Sequence, residues 1–239
     1  MSHRFHVETL GDANRVRLPA ETARHLRVLG LAEGSEVVLF DGTGLEVVAR
    51  VSTLSRDAAE VLLLRRDEVT RETDVALTLA CAVPKGRRMD VLVRMCAELG
   101  VGRIVPLVTQ RSVVRPEGSS SHKHERWRKI CISASEQSGR NVVTDVAAPV
   151  TLDAFLEDAD AFDLAVMLSP DADASTLARV LETAAHPRTL LILVGPEGGF
   201  TANENACARR FGAAVARLTR STLRIETACV AAAAVALCS

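Results

Sequence analysis

From Val75 to the end of the 239-residue chain, short apolar runs of strand length alternate with longer segments of helical period. This alternation limits the fold more than any other feature of the sequence. Residues 75–82, 102–107, 164–168, 189–194 and 215–218 read as strands, and 89–99, 125–137, 176–185 and 225–237 as helices. Thr201-Ala202-Asn203-Glu204 has the spacing of a capping box and opens a further helix through about Phe211. A strand that returns through a helix can only join its neighbour in parallel. The expected fold is therefore α/β, with a largely parallel sheet covered by helices on both faces.

The first part of the chain has a different grain. Between Arg4 and Leu64 short β-rich runs, 4–7, 36–40 and 45–51, are broken by turn signals such as Asp41-Gly42-Thr43-Gly44. Pro19 precedes one short helix over 20–29, where its missing N–H is no loss. The polar stretch 65–74 reads as the linker, so a small β-rich module over 1–70 is expected ahead of an α/β domain over 71–239.

Composition narrows the classes. The opening residues, 1–11, hold no apolar stretch of the kind a secretory signal needs, which sets a cytoplasmic expectation. The longest apolar run, 228–238, is far short of the roughly 20 residues that cross a bilayer. Six cysteines lie in apolar surroundings without a C-x-x-C pair or a nearby histidine, so they read as small core residues and no metal site is expected. The net charge of −1 hides a segregation: residues 85–140 hold 12 Lys/Arg against 5 Asp/Glu, whereas 141–200 hold 2 against 10. A basic block is most often a solvated face. Here Gln137, Trp127, serines and histidines are interleaved with its arginines, which suits contact with RNA phosphates and bases.

Gly195-Pro196-Glu197-Gly198-Gly199-Phe200 follows the apolar strand 189–194 directly. Open parallel sheets bind ligands at the carboxyl ends of their strands, and three glycines let backbone approach a ligand closely. A plain strand-to-helix turn has the same spacing. No Lys-Ser/Thr closes the glycine run and no G-x-G-x-x-G is present, so a phosphate-gripping loop is excluded.

Together with Leu223-Arg224-Ile225-Glu226-Thr227-Ala228, that loop resembles the paired cofactor loops of the ribosomal small subunit methyltransferase E family, in the SPOUT class. Further segments agree in order: Arg4-Phe5, His25 with Val28-Leu29, Lys85-Gly86, Glu98-Leu99-Gly100, Gln110-Arg111-Ser112-Val113-Val114, Arg126-Trp127 and Glu136-Gln137-Ser138-Gly139-Arg140. The resemblance implies a PUA-like β-barrel that helps hold RNA, then a SPOUT domain threaded through a trefoil knot, in a homodimer. Chains do not ordinarily knot, so nothing in the periodicity points to that. It also implies S-adenosylmethionine as methyl donor and uridine N3 of 16S ribosomal RNA, alone or in the assembled small subunit, as target.

By the same resemblance, the cofactor lies among Leu168, Val194, Gly195, Glu197, Gly198, Gly199, Leu218, Ser221 and Leu223. Attack by N3 needs its proton removed and the resulting anion stabilised. Glu226 and Arg224 are assigned those roles, with Glu197 as an orienting group; the bland alternative is that Arg224 and Glu226 only pair or cap the last helix. RNA contacts fall to Arg4, Lys85, Arg111, Arg115, Arg126, Gln137 and Arg140, while Trp127 is assigned to packing first and to base stacking second. The chain departs from the family at Leu218-Thr219-Arg220-Ser221, where Leu-Gly-x-Arg is usual, at Ile225 in place of Thr and at Gly30 in place of Arg. These departures keep two alternatives open: an RNA-binding protein of the same fold that has lost its cofactor, and a methyltransferase with another RNA target such as ribose 2′-hydroxyls.

Overall fold

The computed structural model describes residues 3–11, 13–112, 121–159, 161–170, 175–184 and 187–238, with the backbone alone at 68 and 121. By packing, the chain divides into two units, Met1–Glu72 with Ser135–Val143, and Thr73–Ala134 with Thr144–Ser239.

The first unit is built on a five-stranded sheet of β1 (Arg4–His6), β2 (Arg15–Leu18), β3 (Glu36–Phe40), β4 (Leu45–Leu54) and β5 (Ala59–Glu68), in the order β1-β3-β4-β5-β2. Only β1 and β3 pair in parallel. Register shifts after Val48 and Val51 bend the long β4–β5 ribbon. Phe5, Leu26, Leu39, Val47 and Val61 fill the core, and α1 (Ala20–Val28) supplies Leu26 to it, starting directly after Pro19. The supposed linker proves to begin four residues too early. Arg65, Arg66 and Asp67 are polar, yet they extend β5 because their backbones pair with Val48, Val47 and Glu46. Ladder hydrogen bonds do not depend on side-chain polarity, so the composition is misleading there.

A segment from far along the chain completes this unit. Val142 bridges to Gly42 and Thr43, and Ser135 Oγ donates to the Val142 carbonyl at 3.1 Å. The Glu136 carboxylate accepts the His6 N–H at 3.0 Å. Arg140, 4% exposed, donates from Nε to both oxygens of Glu72 at 3.1 Å. Arg4 Nη1 and Arg71 Nη1 each lie 2.8 Å from Glu46 Oε2, and Arg4 also bonds Asn141. Burial alone pushes the Glu46 carboxyl up, but hydrogen bonds and charge from Arg71 and Arg4 outweigh it and hold it at about 2.

The second unit carries an eight-stranded sheet in which every pairing is parallel. Its strands are β6 (Ala76–Ala82), β7 (Arg103–Val108), β8 (Asp145–Val146), β9 (Val150–Thr151), β10 (Leu164–Leu168), β11 (Ser175–Thr176), β12 (Thr189–Val194) and β13 (Ala214–Arg217). The order is β11-β13-β10-β12-β6-β7-β8, with β9 also against β7. Five successive buried residues, Leu190 to Val194, mark β12 as covered on both faces. On one face α4 (Leu152–Asp158) and α6 (Ala202–Arg210) pack over Met167, Leu191 and Leu193. On the other α7 (Ile225–Leu237) lies on β6 and β12, in contact with α2 (Arg88–Leu99) and α5 (Leu177–Thr183). Between β7 and β8 runs α3 (Ser121–Ser138), whose Trp127 is buried, 5% exposed. Among the described residues no helix is long and apolar enough to cross a membrane.

One smaller expectation needs correction. Cys81, Cys96, Cys131 and Cys229 are buried as core residues, but Cys207 is only half-buried and Cys238 is exposed at the C-cap of α7. The His6 ring packs edge-on against Phe40 at 5.5 Å. The motif residues Val113-Val114 lie outside the described residues.

The capping box on α6 is present, with Thr201 Oγ1 accepting from the Glu204 N–H and Glu204 accepting from the Thr201 N–H at 2.7 Å. Its other carboxylate oxygen accepts the Gln110 N–H at 2.8 Å. Glu204 is 3% exposed, and its removal takes the acceptor from the Thr201 and Gln110 N–H groups and from the Thr201 hydroxyl. Glu204→Ala is expected to cost about 2–3 kcal/mol, read as a fall in thermal midpoint of roughly 4–10 °C by calorimetry.

The Glu46 cluster predicts an acid-dependent loss of stability. A carboxyl held below its usual 4.5 contributes stability that is fully present above that value and fades as pH falls towards about 2. Hydrogen exchange at the β3–β5 amides, corrected for intrinsic rates, should lose protection between about pH 5 and pH 3. That slope should be shallower in Glu46→Gln, which should be less protected than the parent at neutral pH.

Candidate active site

Strands β13, β10 and β12 are consecutive in the sheet and parallel, so their carboxyl ends open side by side. The loops that leave those ends line a pocket whose empty volume, open solvent included, is about 590 Å³. Leu168, Ser169 and Pro170 come from the first loop, Val194, Gly195, Pro196, Glu197 and Gly199 from the second, and Leu218, Thr219, Ser221, Thr222 and Leu223 from the third. Ala228 on α7 closes it. All the cofactor residues expected from the sequence meet here except Gly198, which is not on the wall. Ser169, Pro170, Pro196, Thr219, Thr222 and Ala228 are additional.

The glycine loop has the shape its sequence demands. A Cβ on Gly195 would lie 3.1 Å from the Phe200 ring, which is itself seated in the core, and Gly199 adopts φ +69°. Side chains at either position would displace the turn. Gly198 instead turns its carbonyl to Arg111, whose Nη1 donates to it at 2.7 Å. Together with the Gln110–Glu204 bond, this ties the Gln110-Arg111-Ser112 segment to the glycine loop and to the first turn of α6.

The third loop answers the departure at Thr219. Thr219 Oγ1 donates to the Ser221 carbonyl at 2.8 Å and accepts the Ser221 N–H at 3.2 Å. A side-chain turn of this kind holds the loop, and the pocket persists around it.

The wall is mostly apolar with several hydroxyls, and Glu197 is the only charged side chain among its described residues. With no Lys or Arg there, the pocket is unsuited to a polyphosphate and suits a neutral or cationic ligand. A sulfonium nucleoside fits that chemistry. Bound here, it would meet the walls named above, with backbone groups of the three loops available to a base.

Of the two catalytic candidates, Arg224 is exposed at the N-cap of α7, and its side chain makes no hydrogen bond or ion pair among the described residues. Glu226 does not pair with it. Glu226 Oε1 lies 3.7 Å from Arg88 Nε, and Glu226 Oε2 is buried without a hydrogen-bond partner among the described residues. Arg88 Nη1 also reaches Glu197 Oε1 at 3.9 Å. Arg88 was not anticipated, although it lies just beyond the Lys85-Gly86 motif.

The residues assigned to RNA separate. Lys85, Arg111, Arg126 and Gln137 are exposed, with Arg126 paired to Asp90 and Arg111 to the Gly198 carbonyl. Arg4 and Arg140 are a correction: both are enclosed in the first unit, with their guanidiniums spent on Glu46 and Glu72. A charge already neutralised and shielded in this way offers little to a phosphate. Arg115 lies outside the described residues.

The sequence and the structure were compared with known proteins. Residues 71–237 match the family model described as an RNA methyltransferase domain, and residues 18–64 match an RNA methyltransferase PUA domain. The ribosomal RNA small subunit methyltransferase E of Synechocystis is 34% identical over 203 residues, 84% of this chain. The match spans only 65% of that relative's length. The Bacillus subtilis protein of the same name is 27% identical, with 92% of this chain and 89% of the relative covered. Among solved structures, a Legionella pneumophila methyltransferase with bound S-adenosylmethionine superposes with a TM-score of 0.90 at 30% identity, over 99% of this chain and 97% of that one. The Neisseria gonorrhoeae ribosomal RNA small subunit methyltransferase E, also bound to S-adenosylmethionine, gives 0.86 at 33% over 98% and 96%. The chain therefore belongs to the RNA methyltransferase family that includes the ribosomal RNA small subunit methyltransferases E.

Proposed function

We propose that this protein transfers a methyl group from S-adenosylmethionine to N3 of a uridine in 16S ribosomal RNA. The observation that supports this most is a pocket free of cationic wall residues, at the ends of three adjacent strands, with the carboxylates of Glu197 and Glu226 on a common arginine beside it. Bound in the pocket, S-adenosylmethionine supplies a methyl carbon on a sulfonium; the new N–C bond forms as the C–S bond breaks and its electron pair stays on sulfur.

The chain's own residues do the rest. Glu226 accepts the N3 proton, which leaves the nitrogen lone pair free to attack, and later releases that proton to solvent. Arg224, exposed and without an ion pair among the described residues, balances the charge on the uridine anion before it is alkylated. Leu168, Val194, Leu218 and Leu223 exclude water around the cofactor, and the hydroxyls of Ser169, Ser221 and Thr222 are placed to hydrogen-bond it. Lys85, Arg111, Arg126 and Gln137 form the described part of the RNA contact, and Arg115 is assigned to it by family likeness alone. The working form is a cytoplasmic homodimer whose second domain carries the family's trefoil knot.

Calorimetric titration with S-adenosylmethionine and S-adenosylhomocysteine should give saturable binding. Ala228→Phe places a ring in the pocket from a helix that tolerates it, and overpacking of about 1–3 kcal/mol should weaken binding roughly 10- to 100-fold. If the folded parent binds ribosomal RNA but neither cofactor form, the protein is a binding module. If it methylates RNA and the product nucleoside carries the methyl on a 2′-oxygen, the target is ribose.

Glu226→Gln keeps the shape of the side chain and removes the base. Turnover on small-subunit particles should fall by about 10²–10⁴ with cofactor affinity unchanged. Equal turnover in the two proteins would exclude Glu226 as the proton acceptor.

A further inference from the structure

Arg88 occupies an electrostatically poor position. It is the first residue of α2, follows Arg87 at the N-cap, and so presents a second cation to a helix N-terminus, where the backbone dipole disfavours it. The nearest acid of that turn, Asp90, is already paired with Arg126. Packing does not account for the placement either, because the Arg88 side chain is 41% exposed. An exposed pair at 3.7 or 3.9 Å adds little to stability.

Geometry gives the position a purpose. One guanidinium reaches Glu197 on the pocket wall through Nη1 and Glu226 at the start of α7 through Nε. These two acids lie on elements 29 residues apart in sequence, and α2 is a third element. The Glu226 side chain is 17% exposed, and its other oxygen, Oε2, is buried with no hydrogen-bond partner among the described residues. An unpartnered buried carboxylate oxygen is costly and is tolerated mainly where function needs it. The terminal torsion of a glutamate is broad and two-fold, so an unheld carboxylate would turn freely. The ion pair with Arg88, at 3.7 Å, biases that torsion at Oε1.

We propose that Arg88 is a positioning residue for methyl transfer: it clamps Glu226 in one orientation towards the pocket mouth while joining it to the loop that bears Glu197. This rests on the reading of Glu226 as the proton acceptor. Arg88 itself touches no reacting atom. Its effect on the proton transfer passes through Glu226, and that makes it separable from a general structural role. Methyl transfer proceeds as described above, with the N3 proton going to Glu226 and the C–S electron pair to sulfur.

The test is a double-mutant cycle on the full chain, with S-adenosylmethionine and small-subunit particles as substrates. Turnover, cofactor affinity and thermal midpoint are measured for the parent, Arg88→Gln, Arg88→Lys, Glu226→Gln and the Arg88→Gln/Glu226→Gln pair. Arg88→Gln should lower kcat about 10- to 100-fold and leave the cofactor Kd within about twofold, as expected for loss of an interaction used only during reaction. Arg88→Lys should recover part of that loss, and the double variant should be no slower than Glu226→Gln alone. Parental kcat in Arg88→Gln overturns the proposal, as does a double variant whose losses multiply. An Arg88→Gln protein that has lost cofactor binding or its thermal transition overturns it as well, unless Arg88→Lys is folded and selectively slow. A parent protein that transfers no methyl group at all fails at the earlier step and refutes the proposed function itself.

Discussion

Everything at the site depends on three parallel strands being neighbours. Because β13, β10 and β12 run in one direction and pair in that order, the loops at 168–170, 195–199 and 218–223 share one end of the sheet. Each strand inserted between them would move their loops a further strand spacing of about 4.8 Å apart. The order also crosses the sequence: β12 pairs with β6 on one side and β10 on the other. The site is thus a property of strand order, which the individual loops do not contain.

A second layer of bonds keeps those loops in place. Glu204 closes the first turn of α6 and also receives the Gln110 N–H, and Arg111 takes the Gly198 carbonyl. The glycine loop is consequently held from a segment that follows β7, two strands away from β12. Preorganisation of this kind matters for a reaction whose donor and acceptor atoms must be in line, since small misplacements are costly. In the third loop the same end is reached by different means, through the Thr219 hydroxyl instead of a flexible residue.

Much of this was legible in the sequence because it is local. The runs 164–168 and 189–194 and the helix 225–237 lie where periodicity placed them, and the capping box at Thr201 was readable from two residues. The glycine loop announced a site because it follows an apolar strand. What could not be read is long-range or set by the backbone. Residues 65–68 continue β5 because of what they pair with, despite their polarity. Arg4 and Arg140 looked like phosphate ligands because a guanidinium carries no mark in the sequence of the carboxylate it will meet, and Glu46 and Glu72 are distant in sequence. Arg88 was passed over for the same reason: its partners are 109 and 138 residues further on.

The segment 135–143 has a bearing on how the protein comes into being. Unit one needs Val142 against Gly42 and Thr43, and Arg140 against Glu72, yet those residues are made long after residue 72. At translation speeds of about 5–20 residues per second, the amino-terminal sheet emerges several seconds before its last piece exists. During that interval Glu72 lacks its counter-ion and the Gly42 turn its bridging strand. Two regions that look like successive beads on the chain are therefore interleaved in synthesis, and the ribosome has to make residues 73–134 of the second before the first is whole.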